Sequence, residues 1–196
     1  MRSFARNKLV ILPESEEDPE NPILSQEQAV NKMSRGWYRI DRPRAQTAKV
    51  LEGLLFFKHF DYTELLAISS YVELYEVPSG STILEENSLN QDIFVVVKGG
   101  LSVSKKSDDD EEIILSEILP GRIFGEVSVI DQYRCSATVR TTRKSMLAVL
   151  PKKSLRHLLN TNPKLANRLV ISVARVLAFK LRRTSGLLAD LTDESE

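Results

Sequence analysis

The stretch Leu119-Pro-Gly-Arg-Ile-Phe-Gly-Glu-Val-Ser-Val-Ile-Asp-Gln-Tyr-Arg-Cys-Ser-Ala-Thr-Val139 decides how the rest of the chain is read. Pro120 and Gly121 spell a turn, and Ile123 and Phe124 a short apolar strand end. Gly125 lets the backbone approach a neighbour closely, and Glu126 opens a half-apolar turn that reads as one short helix. An alternating strand follows from Ser136 to Thr141. A strand running through glycine into a helix leaves free N–H groups at the helix start, and these suit an anion. Glu126 cannot help hold an anion, but its carboxylate accepts hydrogen bonds from hydroxyls. Donors for a phosphate beside an acceptor for a sugar make a nucleotide-sized constellation. As a carboxylate on the rim of such a pocket, Glu126 is expected to pack little.

These residues resemble the phosphate-binding cassette of cyclic-nucleotide-binding domains of the catabolite activator and protein kinase A regulatory type. The family pattern is Phe-Gly-Glu, eight residues, Arg, a small pair and a strand. Val77-Pro-Ser-Gly80 resembles a family turn, and Phe94-Val-Val-Val-Lys-Gly99 a family strand; the likeness covers about Val50 to Arg183. It implies an α+β, mainly β fold. That fold is an eight-stranded, jelly-roll-like β-roll flanked by short N-terminal helices and a long C-terminal helix. It also implies a non-catalytic regulatory sensor for cAMP or cGMP, without a metal. The ligand site would comprise Phe124, Gly125, Glu126, Val127, Ser128, Arg134, Cys135, Ser136 and Ala137. Gly125 and Glu126 would serve the ribose 2′-hydroxyl, and Ser136 and Ala137 the phosphate. In the family the C-terminal helix lids the ligand and often dimerises. Either a homodimer through that helix or a helix packed only on its own roll is expected, with signalling to a protein partner of unspecified identity.

The cassette departs from the pattern at one place. Eight residues after Glu126, and again counting back from Ala137-Thr-Val139, the family's arginine position falls on Cys135, one residue after Arg134. A one-residue slip in a strand turns a side chain to the opposite face, unless a bulge re-aims it. Losing a charge-assisted hydrogen bond removes about 1.5–3 kcal/mol, so binding would be weak. Alternatives are a ligand-free interaction module that keeps the degenerate pocket as scaffold, and a transcription regulator without its DNA-binding part. Thirteen residues after Arg183 are too few for a helix-turn-helix, so no DNA partner is expected.

Composition narrows the class further. The 196 residues carry zero formal net charge and an ordinary apolar fraction. No apolar run approaches a membrane span, and the polar start Met-Arg-Ser-Phe-Ala-Arg has no signal-peptide core. One cysteine cannot form an internal disulfide, which fits a cytoplasmic setting. His59 and His157 offer no metal-ligand spacing. The charge is nevertheless split: Met1–Asp131 has 14 Lys/Arg and 23 Asp/Glu, whereas Gln132–Ala189 has no acid at all. Either the two halves neutralise each other internally, or the basic half meets an anionic partner.

Three regions follow: an N-terminal extension over 1–45, the domain over 46–183 and an acidic tail over 184–196. Within the extension, Glu14–Pro22 reads as a solvated linker, and Ser25 caps a short helix through Met33. The basic-aromatic patch Arg35–Arg44 packs Trp37 and Tyr38 onto the domain. Arg35 and Arg39 also share the spacing of the arginine motif in cyclic-di-GMP-binding PilZ domains, without its Asp-x-Ser-x-x-Gly partner. Ala45–Phe57 reads as one helix, and Asp61 with Glu64 as a capping box. Strands are expected near 72–77, 82–85, 92–98, 101–104, 113–118, 123–124, 136–141 and 146–150. Ser107–Glu112 reads as a solvated hairpin tip. Ser154 caps a helix over Leu155–Leu159, and Pro163 starts the long helix at its first position. Leu165, Leu169, Val173, Val176 and Lys180 trace its stripe, with Arg168, Arg175 and Arg182 on another face.

Overall fold

The computed structural model describes residues 36–107 and 109–193. The expected linker around Glu14–Pro22, the helix capped by Ser25, and Arg35 lie outside the described residues. Chain order is β1 (Tyr38–Arg39), α1 (Arg44–Glu52), a 3-10 turn (Leu55–Phe57), α2 (Tyr62–Ile68), β2 (Glu73–Val77), β3 (Thr82–Leu84), β4 (Asp92–Lys98), β5 (Leu101–Lys106) and β6 (Glu112–Ile118). Then come β7 (Ile123–Phe124), α3 (Glu126–Ile130), β8 (Thr138–Thr141), β9 (Ser145–Pro151), α4 (Lys152–Thr161) and α5 (Pro163–Asp193). The antiparallel strands form a five-stranded sheet, β1-β2-β9-β4-β7, facing a four-stranded one, β3-β8-β5-β6. The architecture is α+β, mainly β, with the eight expected roll strands and the two-residue β1 added at one edge.

Two cores share the larger sheet. Along β4, Phe94 and Val96 point into the roll, where Tyr75, Leu101, Phe124, Val139, Leu147 and Val149 also lie. Ile93 and Val95 point out, onto a helical core built from Leu51, Leu65, Leu158, Leu165, Leu169 and Val173. The period of two in β4 and β9 thus serves both faces, and full burial of each large aliphatic side chain contributes about 1.5–3 kcal/mol.

Three expectations need correction. Ala45–Phe57 is broken at Gly53, because Leu54, Phe56 and Phe57 are all buried and a single helical stripe could not bury them together. Tyr38 stays exposed, while Trp37 is buried with its ring edge-on to Tyr75 and Phe94. Arg39 pairs with Asp41 and Glu73. Ser154 is not a cap: α4 begins directly after Pro151, and the Lys152 N–H donates to the Gln91 carbonyl at 2.7 Å. The capping box is present as expected, Asp61 Oδ1 accepting from the Glu64 N–H at 2.9 Å and Glu64 Oε2 from the Asp61 N–H at 3.1 Å. Glu64 also pairs with Arg168 of α5.

Candidate functional site

The cassette is positioned by β4 and β7. Phe94 and Phe124 are cross-strand partners and stack at 4.9 Å, which fixes the chain as it leaves β7. Gly125 then takes φ +77°, a left-handed conformation that turns the chain into α3. A side chain there would meet the Asp92 carbonyl at 2.9 Å and the Asn90 Nδ2 at 3.0 Å. Asn90 holds the turn from the other side. Its Nδ2 donates to the carbonyls of Asp92 (2.7 Å) and Gly125 (3.0 Å) and approaches Ser128 Oγ at 3.3 Å. Its Oδ1 accepts from the Asp92 N–H at 3.0 Å. This asparagine is missing from the sequence-derived site; an Asx turn ahead of a strand is the signal that could have revealed it.

Glu126 is the main surprise. The sequence places it on a rim, but the residue is 0% exposed. Its Oε1 accepts from Lys180 Nζ at 2.7 Å, a group on α5, 54 positions later. The same ammonium lies 3.4 Å from the Ile123 carbonyl. Glu126 Oε2 is buried and has no hydrogen-bond partner among the described residues, and a buried carboxylate oxygen left bare is costly. Lys180 closes the stripe Leu165–Leu169–Val173–Val176, so a lysine where the period calls for an apolar residue was the sequence signal.

The register question is resolved in favour of counting. Cys135 takes the inward position, buried in the roll core, with Sγ 3.9 Å from Ser128 Oγ. Its backbone exchanges hydrogen bonds with the 87–88 loop: the Cys135 N–H to the Ser88 carbonyl and the Asn87 N–H to the Cys135 carbonyl, each 2.8 Å. Arg134 is exposed, and its Nη1 donates to the Asn87 carbonyl at 2.8 Å. No bulge turns it inward. Of the other expected site residues, Phe124 and Ser128 are buried, Gly125 and Ala137 half-buried, and Val127 and Ser136 exposed. The N–H groups of Ser136 and Ala137 take no part in the turn and loop hydrogen bonds among the described residues. α3 has only five residues.

Residues 74–162 match the family model of the cyclic nucleotide-binding domain. Residues 74–162 form a domain of that family. The "CRP-like cAMP-activated global transcriptional regulator" of Mycobacterium tuberculosis is 24% identical over 135 residues, 69% of this chain and 58% of that protein. The chain thus spans a little over half the length of that curated relative. Among solved structures, a cyclic nucleotide-binding domain from Methylobacillus flagellatus superposes with a TM-score of 0.68 at 23% identity, covering 77% of this chain and 86% of that one. The regulatory subunit of a cAMP-independent protein kinase A from Trypanosoma cruzi, bound to guanosine, gives 0.54 at 20% identity, covering 60% and 42%. At those identities the two structures speak for the fold.

The pattern expected from the sequence is present here as a glycine turn at Gly125, a glutamate at Glu126 and the small pair Ser136 and Ala137, with the buried thiol of Cys135 at the position where that pattern has an arginine. No helix among the described residues is long and apolar enough to cross a membrane.

Proposed function

We propose that the chain is a non-catalytic sensor whose cassette binds a ribose-containing ligand, a cyclic nucleotide such as cAMP or cGMP, and signals through α5 to a protein partner. The observation that carries this reading is the bare Oε2 of the buried Glu126, an acceptor that a ribose hydroxyl would satisfy. Gly125 and Glu126 would hold the sugar, and the free N–H groups of Ser136 and Ala137 would face the phosphate. Phe124, Val127 and Ser128 would shape the pocket. With Cys135 inside and Arg134 outside, the phosphate meets no arginine, which lowers the expected affinity about 10- to 150-fold.

That same replacement favours a second reading, a ligand-free interaction module that retains the roll as a scaffold. In either case a homodimer through α5 and a cytoplasmic setting belong to the proposal. Calorimetric titration of the full chain with cAMP, cGMP and guanosine separates the two. Binding of any of them at micromolar to millimolar strength supports the sensor. Cys135→Arg should then tighten the cyclic nucleotides and leave guanosine unchanged, because only the former carry a phosphate. No heat with any of the three, in the native chain or in Cys135→Arg, leaves the scaffold reading standing.

A further inference from the structure

From the geometry at Glu126 we infer that Lys180 is an intramolecular occupant of the cassette, a latch that a ligand hydroxyl must displace. The inference rests on the sensor reading for its ligand, but not for the latch itself. Three observations converge. The Lys180 ammonium sits 2.7 Å from Glu126 Oε1 and closes over a carboxylate with no exposed surface, so a ligand reaches that carboxylate only when the lysine moves. The two partners are unequally buried, the Lys180 side chain being 47% exposed and that of Glu126 1%. On separation the ammonium regains water at little cost, whereas the carboxylate is stranded unless a new donor replaces it. A ligand bringing hydroxyl donors supplies that replacement, and a ligand without them does not.

The third observation concerns the helix. Leu165, Leu169 and Val173 of α5 are buried, Val176 and Leu177 are half-buried, and every residue from 181 to 186 is exposed. Lys180 is therefore the last point, among the residues whose burial is described, at which α5 is tied to the roll. Release of one ammonium frees the distal helix while the proximal stripe stays packed. Ligand chemistry at Glu126 is thereby coupled to helix position by a single exchange of hydrogen bonds, a population shift of the usual kind.

The test uses the full chain and Lys180→Met, which keeps the stem and removes the charge, with Lys180→Arg as the conservative control. Amide hydrogen exchange over 176–186 is measured without ligand, and affinity for cAMP, cGMP and guanosine by calorimetry. The latch predicts exchange several-fold faster in Lys180→Met and close to native in Lys180→Arg. It predicts about tenfold tighter binding by Lys180→Met of whichever probe the native chain binds. Unchanged exchange in a folded Lys180→Met overturns the latch whatever the ligands do. Weaker binding by Lys180→Met also overturns it, since the lysine would then be a ligand contact. Faster exchange with no probe binding either form upholds the tie between α5 and Glu126 and overturns the ligand reading instead.

Discussion

Gly125→Ala isolates the packing that holds the cassette. Gly125 and Gly80 have nearly the same backbone conformation, φ +77° and +78°, so alanine meets the same left-handed strain at both. That strain costs about 1–2 kcal/mol, partly offset by about 0.4–1 kcal/mol of entropy removed from the unfolded chain. The surroundings differ. Around Gly80 nothing lies within 4 Å of the added carbon, whereas at Gly125 it would meet the Asp92 carbonyl at 2.9 Å, Asn90 Nδ2 at 3.0 Å and the Phe94 ring at 3.1 Å. A backbone carbonyl and a stacked ring cannot swing away as a flexible chain end can, and overpacking of this kind costs about 1–3 kcal/mol. Gly80→Ala should therefore lower stability by about 0–1.6 kcal/mol, and Gly125→Ala by about 1–3 kcal/mol more. Urea unfolding at a common slope reads both. Equal losses at the two sites, within about 0.5 kcal/mol, would refute the claim that the turn is packed against β4.

Other outcomes follow from single features. Asn90→Ala strips the amide from two carbonyls and should cost about 1–3 kcal/mol in the same assay; a loss near zero would mean water replaces it. Trp37→Ala should cost about 3–5 kcal/mol, because the chain's single tryptophan is 2% exposed and anchors β1 to the roll. Burial, and then the hydrogen bond from its hydroxyl to Glu73, push the Tyr75 phenol well above its ordinary value. The native state then holds its proton where the unfolded state has lost it. That stabilising contribution is complete below about pH 10 and is lost as pH rises further toward the native value. The urea midpoint of the native chain should fall more steeply above about pH 10 than that of Tyr75→Phe; parallel curves would contradict the assignment.

The strands were legible because alternation between two faces is a local property that needs no knowledge of partners. The arginine's displacement to Arg134 was legible for the same reason, since counting along a strand fixes which side chain points inward. Glu126 was misread because its environment is made at a distance: nothing within α3 reveals that Lys180, 54 positions on, covers it. The broken helix at Gly53 was missed because apolar spacing alone does not show that Phe56 and Phe57 must both be buried. Asn90 was overlooked for a different reason: its role depends on the Gly125 carbonyl, which comes within reach only once β4 and β7 have paired.

The larger sheet has an apolar environment on both sides, and this changes how its strands can go wrong. In an ordinary half-wetted sheet, sliding one strand by a residue drives polar groups inward, and that polarity penalty polices alignment. Sliding β4 by one would instead exchange Phe94 and Val96 for Ile93 and Val95, trading one greasy surface for another. Fidelity there must come from volume and from the strand ends. A phenyl ring does not fit where a valine sat, and Asp92 and Lys98 bracket the five apolar residues. Substitutions that equalise side-chain size along β4 or β9 should therefore yield misaligned, collapsed molecules before they yield unfolded ones.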